Sequence, residues 1–230
     1  MKLIGMLGGM SWESSVLYYQ LVNRLVRERE GGLHSARCVL YSVDFAAIEE
    51  MQVEGRWDEA GDVLTEAARA LEAAGADFVV LCTNTMHKVA DRIESELTVP
   101  LLHIADATAE AVKSARVGTV AFLGTDFAMS DTFYVERLAV NGLRVLIPNA
   151  TDRKLVHDVI YDELCVGVVR DESREAYRQV IRRLVDEGAE GIILGCTEIE
   201  LLVGQEDSPV PVFPTALLHC RAAVDFALED

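Results

Sequence analysis

One stretch of this chain occurs twice, and the repeat limits the fold more than any other feature. Gly75-Ala76-Asp77-Phe78-Val79-Val80-Leu81-Cys82-Thr83-Asn84 aligns without a gap on Gly188-Ala189-Glu190-Gly191-Ile192-Ile193-Leu194-Gly195-Cys196-Thr197, 113 residues later in a chain of 230. The flanks repeat in the same order. Ile4-Gly5-Met6-Leu7-Gly8-Gly9 resembles Val120-Ala121-Phe122-Leu123-Gly124-Thr125, and Val99-Pro100-Leu101-Leu102 resembles Val210-Pro211-Val212-Phe213. Paired landmarks in one order imply two similar halves related by duplication. Two such halves facing each other would form a cleft with pseudo-twofold symmetry, which suits chemistry on both faces of one carbon.

Short apolar runs at 2–7, 37–43, 77–82, 99–103, 117–123, 143–147, 190–194 and 210–213 read as strands, separated by helical patterns. Trp12 to Arg29 places Val16, Tyr19, Val22, Asn23 and Val26 at helical spacing, widened by Leu17, Leu21 and Leu25. Asp58 to Ala74 is rich in alanine and leucine and stops at Gly75; Ser173 to Glu187 repeats that design and stops at Gly188. Ala105 to Ala115 and Ala216 to Leu228 are further helices. Alternating strands and helices predict parallel sheets with right-handed crossovers, and ligands at the strands' carboxyl ends. The expected fold class is α/β: two similar three-layer αβα domains, with the active site in the cleft between them. The expected division is 1–105 plus 209–230 for the first domain and 106–208 for the second.

Hydrophobic residues make up 50% of the chain and charged residues 26%, which fits a globular core and excludes disorder. No apolar run approaches the roughly 18 residues of a membrane span, and the glycine-rich start is too short for a signal peptide. The net charge of −17 excludes nucleic acid as a partner. The five cysteines, an odd number with several inside apolar segments, fit reduced thiols in the cytoplasm.

Thr83-Asn84-Thr85 and Cys196-Thr197-Glu198 each follow a β-branched apolar strand. Backbone N–H groups at such a strand-to-helix turn favour an anion, and a substrate carboxylate is a suitable guest. A helix N-terminus is also expected to lower the pKa of the Cys196 thiol. Cys82 is the obvious partner for Cys196, but side chains alternate along a strand, so residues 82 and 83 cannot face the same way. The repeat pairs Thr83 with Cys196 and Cys82 with Gly195, which places Cys82 against the core. Gly8-Gly9-Met10-Ser11 and Gly124-Thr125 are matching loops that allow close backbone approach to a ligand. His34, His87, His103, His157 and His219 lack metal-site spacing, and His87, one helical turn beyond Thr83, reads more as a helix-capping or core residue than as one that orients the loop. The chain has no dinucleotide fingerprint, P-loop, serine elbow or mark of a pyridoxal lysine, so neither a cofactor nor a metal is expected.

The residues L-G-G-M-S-W-E-S near the start, C-T-N-T-M-H at 82–87 and G-C-T-E at 195–198 resemble the aspartate/glutamate (Asp/Glu/hydantoin) racemase family over nearly the whole chain. The resemblance is strongest to its bacterial broad-specificity or L-aspartate/glutamate-specific amino-acid racemases. It implies a PLP-independent isomerase, usually a homodimer, whose small-molecule substrate is an amino acid (aspartate/glutamate or a broader set). Most such enzymes remove the Cα proton with one cysteine and return a proton from a second on the opposite face. Here Cys196 matches the second cysteine, whereas Thr83 stands where two-cysteine members read C-N-T, a departure shared by the subgroup. The catalytic pair implied is Thr83 and Cys196, with Met10, Asn84, Thr85 and Thr197 holding the substrate's carboxylate and amine. Aspartate-specific relatives carry basic groups near the positions of Gln52 and Cys165, so Gln52 implies a neutral polar or mixed substrate set; Arg56 and Arg170 are nearby basic candidates. A single-cysteine decarboxylase or isomerase of the same fold, and a non-catalytic amino-acid-binding protein, remain as alternatives.

Overall fold

The computed structural model describes residues 1–229, and the chain divides into two compact units. The first comprises Met1–Ile104 together with the chain from Ala216; the second is Ala105–Thr215. Each is a four-stranded, wholly parallel sheet between helices.

In the first unit, β1 (Ile4–Gly8) leads into α1 (Trp12–Glu30), and β2 (Cys38–Ser42) into α2 (Phe45–Val53) and α3 (Trp57–Ala73). β3 (Phe78–Leu81), α4 (Ala90–Ser95) and β4 (Leu101–Leu102) follow, and α10 (Thr215–Leu228) completes the unit from the far end of the chain. The strand order is β2-β1-β3-β4. The sheet is apolar on both faces, as parallel sheets covered by crossover helices must be. Leu7, Val79 and Leu81 pack with Leu64, Ala67, Ala68 and Leu71 of α3. On the other face Ile4, Met6, Phe78, Val80 and Cys82 pack with Tyr18, Leu21, Val22 and Val26 of α1 and with Ala216, Cys220, Ala223 and Val224 of α10.

The second unit repeats this plan. β5 (Thr119–Gly124), α6 (Asp126–Ser130), α7 (Thr132–Val140), β6 (Arg144–Leu146), α8 (Ala150–Asp162), α9 (Asp171–Asp186), β7 (Gly191–Gly195) and β8 (Val212–Pro214) give the order β6-β5-β7-β8, with α5 (Ile104–Ser114) leading in. Registers agree as well: Ile4 pairs with Phe78, and their repeat equivalents Val120 and Gly191 pair with each other. Val212–Pro214 pairs with β7, so residues 209–215, assigned by sequence to the first half, lie in the second unit. Hydrogen bonding to β7 outweighs the apparent continuity with the last helix.

The duplication preserves small devices. Gly75 (φ +92°) and Gly188 (φ +104°) each reverse the chain after a helix in a left-handed conformation that a Cβ would strain. Two residues on, Asp77 Oδ2 accepts from the Leu3 N–H, and Glu190 Oε2 accepts from Gly118 and Thr119 N–H at 2.8 and 2.9 Å. In both units a carboxylate before the third strand thus pins the start of the first.

All eight expected strands are present, whereas α2, α4, α6, α7 and α8 were not read from sequence. α1 also faces differently from the expected stripe. Its buried residues are Ser14, Ser15, Tyr18, Leu21, Val22 and Val26, while Trp12, Val16 and Tyr19 are exposed. The Ser15 hydroxyl accepts from Gly9 N–H at 2.8 Å and donates to Ser11 O at 3.0 Å, which turns the serine face inward and Val16 outward.

One position in the second core has no room. A Cβ on Gly195 would lie 2.2 Å from Cζ of Phe122, whose ring is fully buried 4.5 Å from that of Tyr134. Its counterpart in the first unit is Cys82, which sits in a core cluster with Met6, the counterpart of Phe122. The halves trade volume: a large ring over glycine in one, a thioether beside cysteine in the other. Gly195→Ala is expected to cost about 1–3 kcal/mol through overpacking, and adding Phe122→Leu should return most of it. Thermal unfolding checks this; a Gly195→Ala protein as stable as the parent would contradict it.

Candidate active site

The strand ends set the site residues. In the first unit β3 stops at Leu81, and Cys82 N–H makes one more inter-strand bond, to Leu7 O at 2.8 Å. The backbone then turns: Thr83 N–H donates to Leu81 O at 2.8 Å, and His87 N–H donates to Asn84 O at 3.1 Å to begin a short 3₁₀ turn over Thr85–Val89. Cys82 is wholly buried against α1 and α10, as the alternation argument requires, and burial drives its thiol pKa far up. Thr83 keeps 9% exposure, Asn84 is buried and Thr85 half-buried. Met10, on the β1–α1 loop, packs in the α3-side core with Met86. Gln52, buried on α2, donates its amide to Met86 Sδ at 2.9 Å. Met86, next to Thr85 in the chain, thus accepts from Gln52 and belongs to the same core cluster as Met10.

In the second unit Cys196 follows Gly195 in an extended conformation (φ −151°, ψ 131°), before a 3₁₀ turn over Thr197–Leu201. Its Sγ donates to Glu198 Oε2 at 2.9 Å, and the Thr197 hydroxyl donates to the same oxygen at 2.7 Å. Burial first, then the charge of Glu198 and its hydrogen bond to the thiol, hold the Cys196 pKa well above the ordinary thiol value. This overturns the expected lowering at a helix N-terminus. The helical segment is only five residues of 3₁₀ turn, and a carboxylate lies beside the sulfur. Cys196 rests as a thiol whose proton points at Glu198.

A second carboxyl adds to this. Glu200 is pushed up to about 7 by burial and by the charge of Glu198, and its buried Oε1 has no hydrogen-bond partner. Neither Glu198 nor Glu200 was assigned from sequence; the available signal was an acidic residue two positions after a strand-end cysteine. Around them, Tyr177 donates to Val156 O at 2.8 Å, its own pKa raised by burial and by Cys196 and Glu163. Cys165 is exposed on the turn Leu164–Val166, which packs beside Thr197–Leu201. Arg170 pairs with Glu163 at 3.5 Å, and Arg56 with Glu54 and Glu59, so both basic candidates have carboxylate partners within their own units. Among the described residues no group of His, Cys, Asp or Glu could hold a metal, and no helix is long and apolar enough to cross a membrane.

The Asp/Glu/hydantoin racemase family pattern matches residues 7–223. The broad specificity amino-acid racemase RacX of Bacillus subtilis (strain 168) is 24% identical over 170 residues, covering 73% of this chain and 72% of that protein. A Yersinia pestis protein, a candidate Asp/Glu racemase, is 50% identical with a TM-score of 0.95, each chain covered in full. An aspartate racemase homologue from Pyrococcus horikoshii OT3 is 35% identical with a TM-score of 0.89, again with full coverage of both chains. With its fold and nearly its whole length matched, this chain belongs to the Asp/Glu/hydantoin racemase family of isomerases.

Proposed function

We propose that this protein is a cofactor-independent amino-acid racemase in which Cys196 exchanges the Cα proton on one face and Thr83 serves the other. The observation that carries this reading is the Cys196 Sγ–Glu198 Oε2 hydrogen bond of 2.9 Å: a thiol beside a carboxylate that can take its proton. A thiolate is required to abstract a Cα proton, and the resting sulfur is protonated. In this mechanism Glu198 accepts the thiol proton as the sulfur accepts the Cα proton, so the sulfur ends as a thiol and Glu198 as a carboxylic acid. The carbanion then takes a proton on its opposite face from the Thr83 hydroxyl, which water reprotonates, and Glu198 returns its proton to the hydroxide so formed. The ammonium group of the substrate offsets the cost of negative charge on sulfur in this acidic setting.

Met10, Asn84, Thr85 and Thr197 would bind the substrate's carboxylate and amine, and Gln52 would read its side chain. Gln52 is neutral, and Arg56 and Arg170 are already paired, so a broader set than aspartate and glutamate fits best. The reading includes a homodimer, for which Trp12, Val16 and Tyr19 offer exposed apolar surface, and a cytoplasmic location. Because enantiomers are equal in energy, kcat/KM must be equal in both directions.

The test is incubation with L- and D-aspartate, glutamate, glutamine, alanine and lysine in D₂O without pyridoxal phosphate. Cα deuteration is followed by NMR and inversion by chiral chromatography. Deuteration with inversion is expected for at least one pair, falling roughly 10³-fold or more in Cys196→Ala and 10²-fold in Glu198→Gln but persisting in Cys82→Ala. No exchange with any of them would refute the reading, and carbon dioxide release from a substituted malonate would favour a decarboxylase.

Glu200 yields a pH prediction. Its folded pKa of about 7 lies above the ordinary 4.5, so the folded state holds more protons between those values and stability falls as pH rises through that window. Glu200→Gln should therefore leave stability unchanged below about pH 4.5 and raise it by up to about 3 kcal/mol above pH 7. Denaturant unfolding at both ends checks it; an equal gain at both would contradict the assignment.

A further inference from the structure

Three buried histidines cluster in the first unit. The rings of His87 and His103 lie 4.6 Å apart, and those of His87 and His219 5.8 Å. His219 Nε2 is 2.8 Å from Leu102 O, and its Nδ1 is 2.9 Å from the Tyr18 hydroxyl. A carbonyl can only accept, so His219 carries its hydrogen on Nε2 and Tyr18 donates to Nδ1. His87 is fixed by the same logic. Its Nδ1 lies 2.8 Å from Thr83 O, and Ile104 N–H donates to its Nε2 at 3.2 Å. An amide N–H can only donate, so Nε2 is bare and Nδ1 carries the hydrogen. An imidazolium there would oppose two N–H groups. Burial and the neighbouring imidazoles hold His87 well below its ordinary pKa and His219 down to about 4.

We propose that His87 is a positioning residue for Thr83: as its neutral Nδ1–H tautomer it ties the Thr83 carbonyl to the Ile104 N–H and thereby sets the direction of the Thr83 hydroxyl. The inference rests on the assignment of Thr83 to one face of the substrate. Thr83 lies beyond the last strand residue of β3, and its N–H bonds only two residues back, to Leu81 O. The sheet therefore does not orient its peptide, and His87 and its backbone bond do. The device is not duplicated. The repeat equivalent of His87 is Glu200, while the Cys196 carbonyl accepts from Ile199 N–H at 3.2 Å. The half with the weaker acid thus has an imidazole brace that the thiol half lacks. A hydroxyl that must deliver a proton to one carbon depends on direction more than a sulfur already paired with a base.

The test compares His87→Ala, which loses both bonds, with His87→Gln, whose amide can donate to Thr83 O and accept from Ile104 N–H. Both are run in D₂O on the amino-acid panel above, measuring Cα deuteration without inversion (Cys196 acting alone) against deuteration with inversion (both faces). His87→Ala should lower inversion roughly tenfold relative to exchange without inversion, and His87→Gln should restore most of that ratio. A general structural loss would lower both together, so an unchanged ratio in His87→Ala, or no recovery in His87→Gln, overturns the proposal. If neither variant folds, ¹⁵N NMR of the parent protein decides: His87 protonated at Nδ1 alone supports the tie, and protonation at Nε2 refutes it. A parent protein inert toward the whole panel would instead refute the racemase reading, and the inference with it.

Discussion

Along β3 the odd-numbered Val79 and Leu81 pack toward α3 and the even-numbered Phe78, Val80 and Cys82 toward α1 and α10, and the functional assignments depend on this parity. A strand that presents Cys82 to the core must present its next residue elsewhere, and that residue is Thr83. The same parity on β7 puts Gly195 under the Phe122 ring and leaves Cys196 at the strand end. A one-residue slip in either strand would exchange the faces to which these neighbouring residues point.

Within this shared plan the halves have diverged chemically. The second unit gathers carboxyl groups around its thiol: Glu198 hydrogen-bonds the sulfur, and its charge, after burial, raises the cost of ionising Glu200. The first unit gathers neutral imidazoles around a hydroxyl, with His87 on the Thr83 carbonyl and His103 and His219 packed against it. In the proposed mechanism one half supplies a strong proton acceptor once the proton is moved off sulfur, and the other a weak donor that must be well aimed.

Much of this was legible in the sequence. The duplication, the eight strands, the burial of Cys82 and the pairing of Thr83 with Cys196 in the repeat all follow from local pattern, because parallel strands are short apolar runs with fixed alternation. The inward face of α1 was not legible, since Ser14 and Ser15 read as polar until Ser15 is seen bonding the Gly9 and Ser11 backbone. Nor was the direction of the Cys196 shift. The sequence shows a cysteine at the start of a helical segment; only the fold shows a buried sulfur with the Glu198 side chain folded back onto it. The division at 208 failed for a similar reason, since β8 is three residues long and its allegiance lies in pairing with β7.

The mechanism turns on where the proton of Cys196 resides. A chain of net charge −17, with Glu198 at 2.9 Å from the sulfur, makes a resting thiolate costly, so the sulfur should become a base only when substrate is bound. The most direct measurement is the pH titration of thiolate ultraviolet absorbance in the free protein, with Cys196→Ala as the reference that subtracts the other four cysteines. The account predicts no thiolate from Cys196 at neutral pH and a midpoint above about pH 9. A Cys196 thiolate already formed at neutral pH would contradict it and would remove the need for Glu198 as proton acceptor.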